Sequence, residues 1–394
     1  MSRVLVFSGT MKSLVVGSSL LDHKSVTDIR VVRVVTHAVA MLALVVTCAS
    51  AQSDPKTTML ARAGWDALAR NQPREAADAF REAIARDPRN AELHLGAGTA
   101  AFLERRDQDA RAALERALGL DPMLSAAREV LGLVLYRMGD VQAAVREYQR
   151  LPNEPAYEQA RVRLERWRRE ADLHSRMTSV AGPWFTVSFE GDADAELAAR
   201  ALESLERAAE RIGQVLSTYP DKQLSVVLYT TEQFRDITLA PIWAGGAYDG
   251  TIRVPMRGAL DKPEELDRVL AHEYTHALIH SLALRNVPTW LNEGLATALE
   301  KDLNQIDGNP AREPLPAGVL AALQTSFGRF TGDQAKLAYD VSARVARQLL
   351  DEAGGFAVAN LLRDLGQNVD FKEAFLHRIQ RSFESFEADL STPR

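Results

Sequence analysis

Hydrophobic and polar positions change their spacing along the chain. From residue 57 to 175, apolar residues recur at helical spacing, which predicts a series of amphipathic helices. The pattern then alternates over Phe185–Phe189 and becomes continuously apolar over Leu224–Tyr229, which predicts two strands. A helical pattern returns over Leu266–Leu282. The order indicates an all-α N-terminal region followed by an α+β domain over residues 181–394.

An apolar run precedes these regions at residues 38–46, AVAMLALVV. Its length is typical of a signal peptide and is too short to span a bilayer. Arg30 and Arg33 supply a positive flank, and the small residues of Ala49-Ser50-Ala51 follow the run. The pattern predicts cleavage before Gln52.

Residues 1–51 are therefore expected to form a signal region, although the apolar run begins late within it. A true start near Val31 is the alternative to a start at Met1. Export would place the mature chain in the periplasm or outside the cell, with no transmembrane segment after cleavage. The chain has one cysteine, Cys48, which excludes a disulfide framework and a thiolate metal site.

Length and charge narrow the class of protein further. A chain of 394 residues is expected to contain more than one domain. A net charge of −6 argues against a nucleic-acid partner, which requires a basic surface. The densest basic stretch, residues 161–169, includes leucine, glutamate and tryptophan and is interpreted as the solvated face of a helix.

An internal repeat with a step of 34 residues occupies the N-terminal helical region. Three sets of positions keep this step: Gly64, Gly98 and Gly132; Ala76, Ala110 and Ala144; and Phe80, Leu114 and Tyr148. This pattern resembles the tetratricopeptide repeat, with three helix pairs over residues 57–156 and a capping helix to residue 175. The solenoid that the resemblance implies would present a groove to a protein partner, or would serve only as a spacer.

The segment HEYTHALIH, residues 272–280, contains the strongest chemical signal. His272 and His276 are four residues apart, so they lie on one helical face and can ligate one zinc ion. Glu273 can reach a zinc-activated water without being a ligand. His280 lies roughly 12 Å from His272 along the helix axis, so it is expected to be a core or supporting residue.

A catalytic zinc usually has a third protein ligand. Glu293, in the sequence PTWLNEGLATALE, can be presented by a second helix packed against the first. Glu300 follows two turns later on the same predicted helix. It is either a surface carboxylate or an acceptor that fixes the tautomer of a liganding histidine.

HEYTH together with WLNEGLA resembles the gluzincin zinc metallopeptidases, in particular the peptidase MA-like domain that is fused to tetratricopeptide repeats in bacteria. The resemblance covers about residues 183–390. It implies a zincin-like fold and one zinc per chain, held by His272, His276 and Glu293, with Glu273 as general base.

The same resemblance implies two further functional elements. The segment at residues 245–255 would be an edge strand, with Thr251, Ile252 and Arg253 pairing with an extended peptide or protein substrate. Tyr339 would donate a hydrogen bond to the oxyanion, unless it is only a core residue.

Two functions are compatible with the sequence. The first is zinc-dependent peptide hydrolysis, with the repeats recruiting a substrate or partner. The aminopeptidase branch of the family that the chain resembles has an acidic, glycine-rich motif before the zinc helix. The chain has glycines at 245–246 but no acidic residue placed beside them to hold a substrate amine, so the resemblance favours an endopeptidase. The alternative is a catalytically inactive peptidase-like domain in a binding scaffold.

Overall fold

A computed structural model describes most of the chain. The described residues are 54–191, 195–238, 246–248, 250–255, 263–301, 314–324, 326–327 and 330–392. Two compact units divide at Met177 and Thr178, between the predicted ranges 57–175 and 181–394. The expected signal region lies outside the described residues.

The N-terminal unit is a series of helices. They are α1 (Pro55–Ala69), α2 (Pro73–Arg86), α3 (Ala91–Leu103), α4 (Asp107–Leu120), α5 (Ser125–Arg137), α6 (Val141–Tyr148) and α7 (Glu158–His174). Local capping fixes several starts: the Asp54 side chain accepts from the Lys56 amide, and the Asn90 side chain accepts from the Glu92 amide.

The 34-residue step corresponds to a repeated contact between paired helices. Each glycine of the step faces the large apolar residue of its own unit: Gly64 faces Phe80, Gly98 faces Leu114 and Gly132 faces Tyr148. A Cβ atom at Gly132 would lie 2.3 Å from the Tyr148 ring, so only glycine allows this approach. The predicted packing of small residues against large ones within each pair is confirmed.

Helix α7 covers the end of the repeat stack. Trp167 is 1% exposed and stacks on Tyr136, with ring centroids 4.6 Å apart. It also contacts Tyr148 at a centroid distance of 4.4 Å. The arginine-rich helix thus buries an apolar stripe against the last repeat, as expected of a capping helix.

The C-terminal unit contains a five-stranded mixed sheet with the order β1-β2-β3-β5-β4. The strands are β1 (Met177–Ala181), β2 (Phe185–Glu190), β3 (Leu224–Tyr229), β4 (Ala247–Tyr248) and β5 (Ile252–Pro255). Strands β2, β3 and β5 are parallel neighbours, whereas β4 runs antiparallel to β5. The predicted strands at 185–189 and 224–229 are confirmed.

The prediction that Thr251, Ile252 and Arg253 form the edge strand is wrong. A turn at Gly250, whose φ is +114°, folds the segment back on itself, so β4 pairs with the outer side of β5. All three predicted residues are buried. Ile252 and Arg253 belong to β5, one strand in from the edge, and Thr251 directly precedes it. Among the described strands, β4 forms that edge.

Helices pack on the sheet and form most of this unit. They are α8 (Ala195–Leu216), α9 (Thr231–Thr238), α10 (Pro263–Leu282), α11 (Thr289–Ala298), α12 (Val319–Ala322), α13 (Gly332–Ala353), α14 (Gly355–Gly366), α15 (Phe371–Ile379) and α16 (Phe383–Leu390). One apolar core links all of these helices except α9 to the sheet, which is the expected α+β arrangement. No helix in the described part of the chain combines the length and apolar character needed to cross a membrane.

Candidate metal and catalytic centre

Helix α10 brings two histidines together on one face. The Nε2 atoms of His272 and His276 are 3.1 Å apart, and their rings meet edge to face at a centroid distance of 4.7 Å. Leu270, Ala271 and Tyr274 anchor the opposite side of the helix in the core. The four-residue spacing therefore places both imidazoles on one helical face and close together, as predicted from the sequence.

Helix α11 supplies the third group. One carboxylate oxygen of Glu293 lies 3.8 Å from His272 Nε2 and 3.5 Å from His276 Nε2. The next residue, Gly294, packs so closely on α13 that a Cβ atom there would lie 2.3 Å from the Ser342 carbonyl oxygen. This close approach fixes the position of α11 and of its glutamate.

His272, His276 and Glu293 thus form a cluster whose potential ligand atoms all lie within 4.8 Å of one another. Within the described residues, no other group of three or more histidine, cysteine, aspartate or glutamate side chains could hold a metal ion in this way. The structure therefore brings together the three residues named as zinc ligands.

The outward-facing nitrogens of both histidines have hydrogen-bond partners. His272 Nδ1 lies 2.8 Å from a carboxylate oxygen of Glu300, and His276 Nδ1 lies 3.3 Å from Asn292 Oδ1. The other Glu300 oxygen pairs with Arg268 at 3.1 Å. Glu300 is therefore a supporting acceptor rather than a surface carboxylate, although α11 ends at Ala298, before it.

These contacts fix the tautomers of neutral imidazoles. A carboxylate only accepts hydrogen bonds, so His272 Nδ1 donates to Glu300, and the same direction holds from His276 to the Asn292 oxygen. In the neutral form that metal binding requires, each ring presents an Nε2 lone pair toward Glu293. Two lone pairs and a carboxylate facing one another are the donor set that binds a divalent cation.

Charge in the cluster also favours a cation. Burial opposes protonation of His276, but the Glu293 carboxylate outweighs it and raises the pKa of His276 to about 9. Burial favours the protonated form of Glu293, but the positive charges of His276 and His272 hold the pKa of this carboxyl group below its ordinary value. The site thus carries a negative potential that stabilises positive charge.

Glu273 is buried beside the cluster, with 6% of its surface exposed. Burial, only partly offset by His276 and His272, raises the pKa of this carboxyl group. Gly246, immediately before β4, approaches it closely: a Cβ atom there would lie 2.6 Å from Glu273 Cγ and Oε1. The start of the edge strand therefore passes directly over the candidate base.

Tyr339 of α13 reaches the same centre. Its hydroxyl faces Glu293 and helps to lower the pKa of that carboxyl group, and its ring lies 6.3 Å from the His272 ring between centroids. Burial and the charges of Glu293 and Glu273 raise the pKa of Tyr339 far above its ordinary value, so the phenol remains a donor. The ring also contacts Phe327, so the side chain belongs to both core and site.

His280 lies apart from the cluster. Its ring meets Tyr248 of β4 edge to face at a centroid distance of 5.3 Å. It therefore helps to seat the edge strand on α10 and supplies no ligand atom to the cluster, in agreement with its helical distance from His272.

Four further residues of the site have weak or no sequence signals. Asn292 precedes Glu293 directly, and Arg268 lies one helical turn before His272, so both could be found from spacing. Gly246 and Arg211 come from distant segments, and only the fold brings them to the centre.

Comparison with known proteins identifies the N-terminal unit. The sequence profile of the tetratricopeptide repeat family matches residues 62–123 and 108–161. No curated protein matches the chain. The helical solenoid-like region thus contains tetratricopeptide repeats, a class of protein-interaction scaffold.

Proposed function

We propose that the C-terminal unit is a zincin-like, zinc-dependent peptidase and that the repeats recruit its substrate or a protein partner. The observation that carries this proposal is the convergence of His272, His276 and Glu293 beside the buried carboxyl group of Glu273. Each residue type fits a catalytic zinc centre: three protein ligands, an adjacent acid–base group and supported imidazoles.

The fit to zinc rests on the hydrogen bonds around the cluster. Because Glu300 and Asn292 accept from the Nδ1 atoms, both Nε2 atoms turn lone pairs to one point once the rings are neutral. At a separation of 3.1 Å these lone pairs repel unless a proton or a cation lies between them. A nitrogen and oxygen donor set without thiolates suits zinc.

When bound, zinc supplies Lewis-acid activation of water and of a carbonyl group at neutral pH. Glu273 takes the proton from the attacking water and returns it to the leaving amine. The Tyr339 hydroxyl donates to the oxygen of the attacked carbonyl, where negative charge develops. His272 and His276 keep their orientation through Glu300 and Asn292.

We propose that an extended substrate pairs with β4. An edge strand offers backbone donors and acceptors to an added strand, and β4 leads directly from Gly246, which lies against Glu273. A peptide on this edge would pass the proposed base with chain on both sides, which favours an endopeptidase. The residues that line this path are Ala247 and Tyr248.

The inactive scaffold is the competing function. It is favoured by the repeats, which by themselves account for a protein-binding role. An inactive scaffold does not require Glu273. Burial of a carboxyl group costs folding free energy, and a catalytic role would explain why this cost is tolerated. The two functions differ in one measurable property, hydrolysis that depends on Glu273.

Hydrolysis of an unfolded protein and of a quenched fluorescent peptide library tests the proposal. Wild-type chain is expected to cleave peptide bonds, to lose this activity in a chelator and to regain it with zinc. Glu273→Gln is expected to abolish cleavage, while the matched control Glu264→Gln, at an exposed position of the same helix, remains active. Equal cleavage by wild type and Glu273→Gln would refute the mechanism.

A further inference from the structure

Arg211 of α8 reaches the end of α11, where the chain turns toward the metal cluster. Its Nη1 atom donates to the carbonyl oxygens of Leu299 and Lys301, each at 2.9 Å, and Nη2 lies 3.4 Å from the Glu300 carbonyl oxygen. One guanidinium group therefore binds three consecutive carbonyl groups, and Glu300 is the central residue of the three.

The side chain of the same glutamate is held between two partners. One carboxylate oxygen accepts from His272 Nδ1 at 2.8 Å and the other from Arg268 Nη1 at 3.1 Å. Only 10% of the Glu300 side chain is exposed, so solvent contributes little to its position. Its backbone lies beyond the regular hydrogen bonding of α11, and the Glu300 amide makes a long 3.4 Å contact with the Thr297 carbonyl.

We propose that Arg211 is a positioning residue for the metal centre. By fixing the backbone at 299–301, it places the Glu300 carboxylate against His272 Nδ1 and thereby directs His272 Nε2 toward Glu293. This inference deepens the proposed function and rests on it. Nothing in the sequence pattern connects Arg211 with the centre, because it lies 61 positions before His272.

The chemistry of arginine suits this task. Its planar guanidinium group offers several donors in a fixed arrangement, so it can bind adjacent carbonyl groups at once, whereas a lysine offers one flexible point charge. A positive charge at a helix C-terminus also interacts favourably with the partial negative charge there. Arg268 cannot substitute for Arg211, because its hydrogen bond is to the Glu300 carboxylate and not to the backbone carbonyl groups at 299–301.

Partners of liganding histidines typically change metal affinity by about 10- to 100-fold when they are removed. We expect Glu300→Gln to weaken zinc binding within this range. Arg211→Gln, which acts through Glu300, is expected to raise the zinc Kd about 10-fold. In the double variant the Kd should match that of Glu300→Gln alone, because the two residues act in one chain of contacts.

Competition with a chromogenic zinc chelator measures these dissociation constants on the full chain without any substrate. Arg207→Gln is the matched control: Arg207 lies one turn before Arg211 on α8, and its ion pair with Glu203 is exposed. The control should bind zinc as the wild type does. An Arg211→Gln Kd equal to that of the control, or fully additive effects in the double variant, would overturn the inference.

Two further readouts separate positioning from general destabilisation. The melting temperature of the metal-depleted variants reports folding, and Arg211→Lys retains the charge if the glutamine variant does not fold. The lysine variant should fold and bind zinc more weakly than wild type, since it cannot bridge the carbonyl groups; wild-type affinity would overturn the inference. If the Arg211 and Glu300 substitutions change the zinc Kd as expected but the chain cleaves no peptide, only the peptidase proposal is refuted.

Discussion

Replacement of Gly246 by alanine tests the proposed contact between the edge strand and the candidate base. The added Cβ atom would lie 2.6 Å from Glu273 Cγ and Oε1, whereas ordinary contacts begin at 3.4 Å. The carboxyl group must therefore move by about 0.8 Å, since it is the flexible end of its side chain. None of the three proposed zinc ligands lies among the nearest contacts of the new atom.

The expected effects on activity and stability differ in size. A displacement near 1 Å at a reacting group can lower the rate about 100-fold, which corresponds to about 2.7 kcal/mol of transition-state stabilisation. Overpacking against a movable side chain is expected to cost about 1 kcal/mol of folding free energy. Gly246→Ala should therefore reduce kcat/KM strongly while zinc content stays at the wild-type value.

The assay compares kcat/KM on a cleaved peptide with zinc content and melting temperature for the same preparations. Gly332→Ala is the control, because a Cβ atom there meets no other atom within 4 Å and the backbone does not require glycine. Wild-type kcat/KM in Gly246→Ala would refute the reasoning. A combined loss of zinc and of folding would show that the glycine serves the fold rather than the base.

Three further changes give distinct outcomes. Tyr339→Phe should lower kcat about 100-fold with unchanged zinc content, whereas an unchanged kcat would mean that the ring serves only the core. Gly132→Ala should destabilise the repeat unit by about 1–3 kcal/mol, measured by denaturant unfolding, because the buried Tyr148 ring lies within 2.3 Å of the new atom; an unchanged midpoint would contradict the packing. The hydrogen bond from Arg378 holds the pKa of Asp364 below its ordinary value. The Arg378–Asp364 ion pair therefore stabilises the fold fully above the unfolded-state pKa of about 3.9, and this stabilisation disappears as the pH falls through the lower pKa of the folded state. Asp364→Asn should remove this acid-dependent part of the melting temperature, and an identical pH profile would exclude the ion pair as its cause.

Local spacing predicts much of the site. The positions of His272 and His276 follow from helical periodicity, and the contact of Gly132 with Tyr148 follows from a fixed repeat. Glu293 could be predicted as the third ligand because its helix is amphipathic and begins a few residues after α10. These features depend on neighbours in sequence, where the geometry of a helix or of a repeat sets the distances.

Features set by long-range packing were not predictable in the same way. The resemblance implied that Thr251, Ile252 and Arg253 form the edge strand, but the turn at Gly250 places β4 outside β5. The approach of Gly246 to Glu273 and the reach of Arg211 to residues 299–301 depend on how separate elements meet. A single sequence contains no periodic signal for such contacts.

The most direct test of the proposed metal centre is the zinc content of the purified chain from Gln52 on, measured by mass spectrometry without added metal. We expect about one zinc per chain and its loss in His272→Ala with the fold retained. A folded wild-type chain without zinc, even after reconstitution, would contradict the proposed metal centre and leave the repeats as the functional part.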